Sequence, residues 1–203
     1  MNNNYFLFLN SMRKTVLIII SGPPATGKTS AGYLISKKFN LPFVCLDEIK
    51  EKLFDEVGFK IGDKKWDKKL SDASINIMYY ISNNMLKVGA SHILEGVLVS
   101  SKHIKQLKNQ LKKHNPIILQ IQMSADKDII KKRYQERSDS KDRHPGHFDD
   151  EFIAELKGTR KIKEKLNFLD IKSKKFSIDT SEININTYTE TFKAIKTCLK
   201  IKK

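Results

Sequence analysis

A chain of 203 residues, 39% apolar and 30% charged, has the balance of one globular domain, which excludes a fibrous chain, a disordered tail and a multi-domain motor. Its 38 basic residues against 23 acidic ones give a formal charge of +15, but 33 of the 38 are Lys spread along the whole chain, so the charge describes either a solvated surface or a groove for phosphates. Two cysteines, Cys45 and Cys198, cannot build a disulfide framework, and no apolar run approaches the roughly 18 to 20 residues of a membrane helix, so a reducing, cytoplasmic setting is expected.

Residues 1–11 read as a flexible extension, with Met12 a natural beginning, and residues 12–203 as a single domain. Short apolar or β-branched runs predict strands over Thr15–Ile20, Pro42–Leu46, His92–Glu95, Pro116–Met123 and Lys175–Asp179. Helical patterns fill the intervals: Lys28–Phe39, Asp47–Val57, Asp67–Val88, Lys102–Lys113, Asp126–Ser138, Asp149–Leu166 and Thr187–Lys200. In the third of these the apolar stripe reads as Leu70, Ala73, Ile77, Tyr80 or Ile81, and Val88, and Trp66 and the Tyr79–Tyr80 pair read as core rather than as base-stacking residues. Strands alternating with helices predict an α/β fold whose sheet is covered on both faces. Ser138–Phe148 interrupts the rhythm and reads as a surface loop.

Gly22-Pro23-Pro24-Ala25-Thr26-Gly27-Lys28-Thr29 follows the first strand and opens the first helix, which is the context that the phosphate-cradling pattern G-x-x-x-x-G-K-[ST] requires. Backbone N–H groups can converge on a phosphate only where side chains do not obstruct, hence Gly22 and Gly27. Ala25, Thr26, Gly27, Lys28, Thr29 and Ser30 are therefore expected to bind the nucleotide, with Lys28 on the β- and γ-phosphates and the Thr29 hydroxyl on Mg²⁺.

At the end of the second strand, Leu46-Asp47-Glu48-Ile49-Lys50 puts Asp47 on the same rim of the sheet as the phosphate loop, where open α/β sheets bind ligands. Asp47 is either a general base for an attacking hydroxyl or a plain helix cap, and Lys50 is either a substrate contact or a surface charge. The phosphate loop followed by Leu-Asp-Glu-Ile-Lys resembles the small P-loop kinase group that includes polynucleotide kinase, zeta-toxin and chloramphenicol phosphotransferase. The resemblance runs from about Arg13 to Ser181. It implies a three-layer α/β/α P-loop NTPase fold with a five-stranded, mainly parallel sheet and a helical lid over about residues 126–166. It also implies ATP and Mg²⁺ as cofactors, Asp47 as general base and Lys50 as a substrate-holding residue. That position is usually Arg in the group, and Lys lacks the planar fork.

His92-Ile93-Leu94-Glu95-Gly96 is similar to the group's third strand, which places Glu95 near Mg²⁺-bound waters or the acceptor. Arg133 and Arg137, four apart on one helix face, and Arg143 in the following loop look like the lid arginines that close over a transferring phosphoryl group. His144-Pro145-Gly146-His147 has H-x-x-H spacing, but the Pro and Gly preclude a helical metal pair, which leaves acceptor contact, docking of the lid on the body, or an ordinary loop. Asp179-Thr180-Ser181 resembles the closing segment beside the nucleotide base. A kinase acting on a hydroxyl of a small molecule or a nucleic-acid 5′-end is thus expected, and a regulatory P-loop ATPase or a basic nucleic-acid-binding NTPase is the alternative. A GTPase switch is disfavoured because no N-K-x-D tetrapeptide occurs.

Overall fold

The computed structural model describes residues 14–60, 62–96, 101–140, 143–147 and 166–200. The N-terminal extension and most of the helix expected over Asp149–Leu166 lie outside the described residues.

Five strands, β1 (Val16–Ser21), β2 (Phe43–Cys45), β3 (His92–Glu95), β4 (Ile117–Ser124) and β5 (Lys174–Asp179), form one sheet in the order β2-β3-β1-β4-β5. Every neighbouring pair is parallel, so the sheet is wholly rather than mainly parallel. The helices are α1 (Lys28–Phe39), α2 (Leu46–Val57), α3 (Lys64–Lys87), α4 (Ser101–His114), α5 (Lys127–Ser138) and α6 (Thr189–Cys198).

β1 shows why the fold has three layers. Its five aliphatic residues Val16–Ile20 are all buried, as a strand covered on both faces requires. Val16, Ile18 and Ile20 pack with Ala31 and Ile35 of α1 and Ile195 and Cys198 of α6. Leu17 and Ile19, pointing the other way, pack with Ile75, Met78 and Tyr79 of α3 and Leu107 and Leu111 of α4. Each such side chain contributes about 1.5–3 kcal/mol relative to exposure.

The apolar stripe expected on α3 is corrected by the structure. Ile77, Tyr80 and Val88 are 37%, 67% and 78% exposed, whereas Ser74 and Ser82 are fully buried beside Met78 and Tyr79. The serines tolerate burial because their hydroxyls are satisfied: Ser74 Oγ donates to Leu70 O at 2.7 Å and Ser82 Oγ lies 2.8 Å from His92 Nε2. Small polar residues let α3 approach the sheet, which turns the helix away from the face that its apolar residues alone suggest. Trp66 is half-buried and donates Nε1–H to Gly58 O at 3.1 Å, so it ties down the turn between α2 and α3.

The parallel sheet aligns the C-terminal ends of all strands on one rim. Gly22, Asp47, Glu95 and Asp179 with Thr180 therefore meet there from four separate stretches of chain.

Candidate functional site

The phosphate loop is built from backbone geometry. Gly27 has φ 77° and ψ 21°, in the left-handed region, and caps α1 without any side-chain hydrogen bond. α3, away from the rim, is capped by Asp63, whose carboxylate accepts from Lys65 N and Trp66 N. No side-chain cap occupies the start of α1, so its N–H groups and dipole can receive an outside acceptor. A Cβ on Gly22 would stand 2.5 Å from Met123 O, so only glycine lets the loop lie against the end of β4. Thr26 is fully buried, and its hydroxyl donates to Pro23 O at 2.8 Å.

Lys28 Nζ donates to Pro23 O at 2.9 Å. Burial pushes its pKa down, and the carboxylates of Glu95 and Asp47 oppose that shift. Glu95 is 3% exposed; its Oε2 accepts from Thr29 Oγ1 at 3.3 Å and from Cys45 Sγ at 2.9 Å. Burial raises the Glu95 pKa while Lys28 holds it back. Burial and the adjacent Glu95 carboxylate drive the Cys45 thiol well above its ordinary range, so it is a neutral donor rather than a nucleophile.

Two adjoining cavities open on this rim. One, of about 370 Å³, is lined by Ala25, Gly27, Lys28, Thr29, Ser30, Asp47, Arg133, Arg137, Ile183 and Tyr188. The other, of about 210 Å³, is lined by Pro24, Lys28, Leu46, Asp47, Glu95, Gly96, Tyr134, Arg137, Arg143 and His147. Lys28, Asp47 and Arg137 belong to both. A larger cleft of about 630 Å³ sits at the opposite rim around Lys14, Lys108 and Lys174, far from this chemistry.

The three arginines take different places. Arg133 donates to Thr180 O at 2.6 Å and to Thr180 Oγ1 at 3.2 Å. Thr180 Oγ1 also lies 3.1 Å from Thr26 O and 2.9 Å from Ser124 O, so the end of β5, the phosphate loop and α5 are joined through one buried hydroxyl. Arg137 lies at the partition of the two cavities, with its guanidinium 4.6 Å from the centre of the Tyr134 ring. Arg143 belongs to the smaller cavity and pairs with Glu51 at 3.6 Å.

Of the predicted residues, Gly22 and Thr26 line neither cavity, and nor does Lys50. Its Nζ is 2.8 Å from Asp67 Oδ1 and 5.3 Å from the Phe54 ring centre, tying α2 to the start of α3.

The loop carrying Arg143 and both histidines is docked on α2. Asp47, Glu51, Phe54 and Asp55 recur at helical spacing along one face. His147 Nε2 is 2.7 Å from Glu51 Oε1, and His144 Nε2 is 3.3 Å from Asp55 Oδ1. The His144 ring stacks on Phe54 with centroids 5.1 Å apart, and a Cβ on Gly146 would stand 2.5 Å from Phe54 Cδ2. Phe54 is consequently 2% exposed on a helix that would otherwise show it to water. The two imidazoles face different carboxylates, and among the described residues no group of three or more His, Cys, Asp and Glu side chains converges as a metal site.

Glu51, Phe54, Tyr134, Ile183 and Tyr188 were not foreseen. None belongs to a contiguous motif, and helical spacing from Asp47 is a signal for Glu51 and Phe54 alone.

No protein-family profile and no curated protein sequence matches the chain. Among solved structures, it is similar to a Chloroflexus aurantiacus protein provisionally described as a kinase, with 26% identity, a TM-score of 0.80, and coverage of 90% of this chain and 98% of that one. A sugar kinase from Janibacter sp. HTCC2649 aligns at 14% identity with a TM-score of 0.53, over 93% of this chain and 95% of that one. A gluconokinase from Sinorhizobium meliloti 1021 aligns at 12% identity with a TM-score of 0.52 over the same shares. The fold is therefore that of P-loop kinases, and among the described residues no helix is long and apolar enough to cross a membrane.

Proposed function

We propose that the protein is an ATP- and Mg²⁺-dependent kinase that transfers the γ-phosphate to a hydroxyl group. One observation carries this reading: the cavity at the phosphate loop and the smaller polar cavity beside it share Lys28, Asp47 and Arg137 as their common wall. A simple ATPase needs room for a water, whereas here a second chamber adjoins the one at the phosphate loop. The likeness to a kinase structure at 26% identity supports the same conclusion.

In this reading ATP lies in the larger cavity, with its phosphates on the backbone of Ala25–Ser30 and its base toward Ile183 and Tyr188. Asp47 accepts the proton of the acceptor hydroxyl as that oxygen attacks the γ-phosphorus and the bond to the bridging oxygen breaks, releasing ADP. Lys28 and Arg137 face the charge that spreads over the phosphoryl oxygens. The Thr29 hydroxyl, backed by the Glu95 carboxylate, suits a hard cation that takes its remaining oxygens from phosphates and water. Mg²⁺ bound there would neutralise charge on the β- and γ-phosphates. Arg143 and His147 contact the acceptor in the smaller cavity. At about 210 Å³ that cavity is below the range of drug-sized pockets, so the acceptor is a small polar molecule or the terminal unit of a longer one.

The test is transfer of labelled γ-phosphate from Mg·ATP to a panel of sugars and sugar acids, nucleosides, 5′-hydroxyl oligonucleotides and hydroxylated antibiotics. A labelled product that disappears in Lys28→Ala and Asp47→Asn supports the kinase. Hydrolysis without a labelled acceptor, unchanged by Asp47→Asn, points instead to a regulatory ATPase.

A further inference from the structure

We propose that Glu51 is a positioning residue of the transfer site, its carboxylate seating Arg143 and His147 over the acceptor cavity one helical turn beyond Asp47. The inference rests on the kinase reading above and names the residue that orients its acceptor side.

A single oxygen, Glu51 Oε1, meets both His147 Nε2 at 2.7 Å and the Arg143 guanidinium at 3.6 Å. Both partners line the smaller cavity and Glu51 does not, so the carboxylate stands behind them. Exposure follows the same order: the Glu51 side chain is 33% exposed, that of Arg143 14% and that of His147 8%. A carboxylate only accepts hydrogen bonds, so the short contact places a proton on His147 Nε2, and in the neutral ring Nδ1 is then the acceptor nitrogen. Burial, followed by the charge of Arg143, favours that neutral ring, with Asp47 and Glu51 opposing.

The docked loop is held by two kinds of contact with different consequences. Phe54 against His144 and Gly146 supplies attachment, through apolar area that does not fix which way a guanidinium or an imidazole turns. Glu51 supplies direction, because the His147 Nε2–H and the Arg143 guanidinium charge both face one oxygen. Since Asp47 and Glu51 share a helix face, a loop seated on Glu51 is placed in register with the proposed base. The His144–Asp55 pair lies outside the cavity on the same helix face and provides a control.

The experiment compares wild type, Glu51→Gln, Glu51→Ala and Asp55→Asn in two measurements on the full chain. Turnover of Mg·ATP is followed with water or any panel acceptor receiving the phosphate. Imidazole nitrogen chemical shifts of His147 are followed by NMR. We expect turnover to fall about tenfold in Glu51→Gln and up to about a hundredfold in Glu51→Ala, the size of effect that a misplaced contact produces. The KM for ATP stays within about twofold, Asp55→Asn stays close to wild type, and the His147 ring loses its single tautomer. Turnover of the Glu51 variants equal to that of wild type, or an unchanged His147 tautomer in both, overturns the inference. Glu51→Gln is nearly isosteric and decides the matter if Glu51→Ala does not fold. A wild-type protein that neither binds nor turns over Mg·ATP overturns the kinase reading instead, and the tautomer measurement still decides whether Glu51 seats the loop.

Discussion

The two halves of the candidate site are made of different materials. The half proposed to hold the nucleotide is mostly main chain: Gly22 pressed against Met123 O, Gly27 in the left-handed region, a helix start without a side-chain cap, and one threonine hydroxyl that ties strand ends together. The half proposed to hold the acceptor is mostly side chain, with Asp47, Glu51 and Phe54 from one helix meeting Arg143 and His147 from a loop about ninety residues later. Main-chain sites are specified by short contiguous motifs and serve one ligand class. Side-chain sites can be altered residue by residue without disturbing the fold, which suits the half that selects an acceptor.

Five substitutions, the last followed across pH, test these assignments. The largest effect is expected at the shared wall: Lys28→Ala should reduce γ-phosphate transfer by about a thousandfold, as loss of a cation facing transition-state charge does. Asp47→Asn should reduce transfer by about a hundredfold or more while Mg·ATP affinity, measured by calorimetry, stays within about twofold. An equal loss of ATP binding would assign Asp47 to the nucleotide half. A matched pair of glycines comes next. Gly22→Ala should abolish ATP binding and lower the melting temperature, because the obstructing atom is a backbone carbonyl. Gly146→Ala should lower turnover about tenfold with ATP affinity intact, because it lifts the loop from Phe54. If both glycine variants behave alike, the halves are not separable.

The smallest effect concerns pH. Burial lowers the pKa of His92, which is wedged between Ser82 Oγ and Ala90 O at the start of β3. The unfolded chain takes up that proton first, near the ordinary value of about 6.5, so the stabilisation is complete above that pH and is lost as pH falls toward the lowered folded value. Wild type should lose melting temperature between pH 7 and pH 5.5, and His92→Asn should lose less over the same interval. Parallel curves for the two proteins would refute the assignment.

Much of this architecture was legible in the chain. The boundaries of Lys28–Phe39 and His92–Glu95 coincide with α1 and β3, because a helix opened by glycine and a short run with an apolar centre between turns each have few competing conformations. On α3 the expected stripe holds at Leu70 and Ile81 and fails at Ile77, Tyr80 and Val88, since periodicity weighs apolar residues and is blind to a serine that satisfies its own hydroxyl. The G-x-x-x-x-G-K-[ST] pattern is local, and the structure sets it between β1 and α1 as its spacing predicts. Glu51 was missed because its partners are distant in sequence, and a lone Glu on a surface helix is ordinarily a solvated charge. Lys50 illustrates the converse, a residue singled out by position that Asp67 of another helix engages.

The sheet's margins bear on how the protein behaves in concentrated solution. β2, at one edge, is three residues long, and β5, at the other, exposes Lys174 and Lys175. A marginal strand is a template on which another chain can zip, and brevity on one side and repelling ammonium groups on the other both discourage that growth. Lys174 and Lys175 thus act as a colloidal device at one of the two edges where a parallel sheet is open to fibril growth.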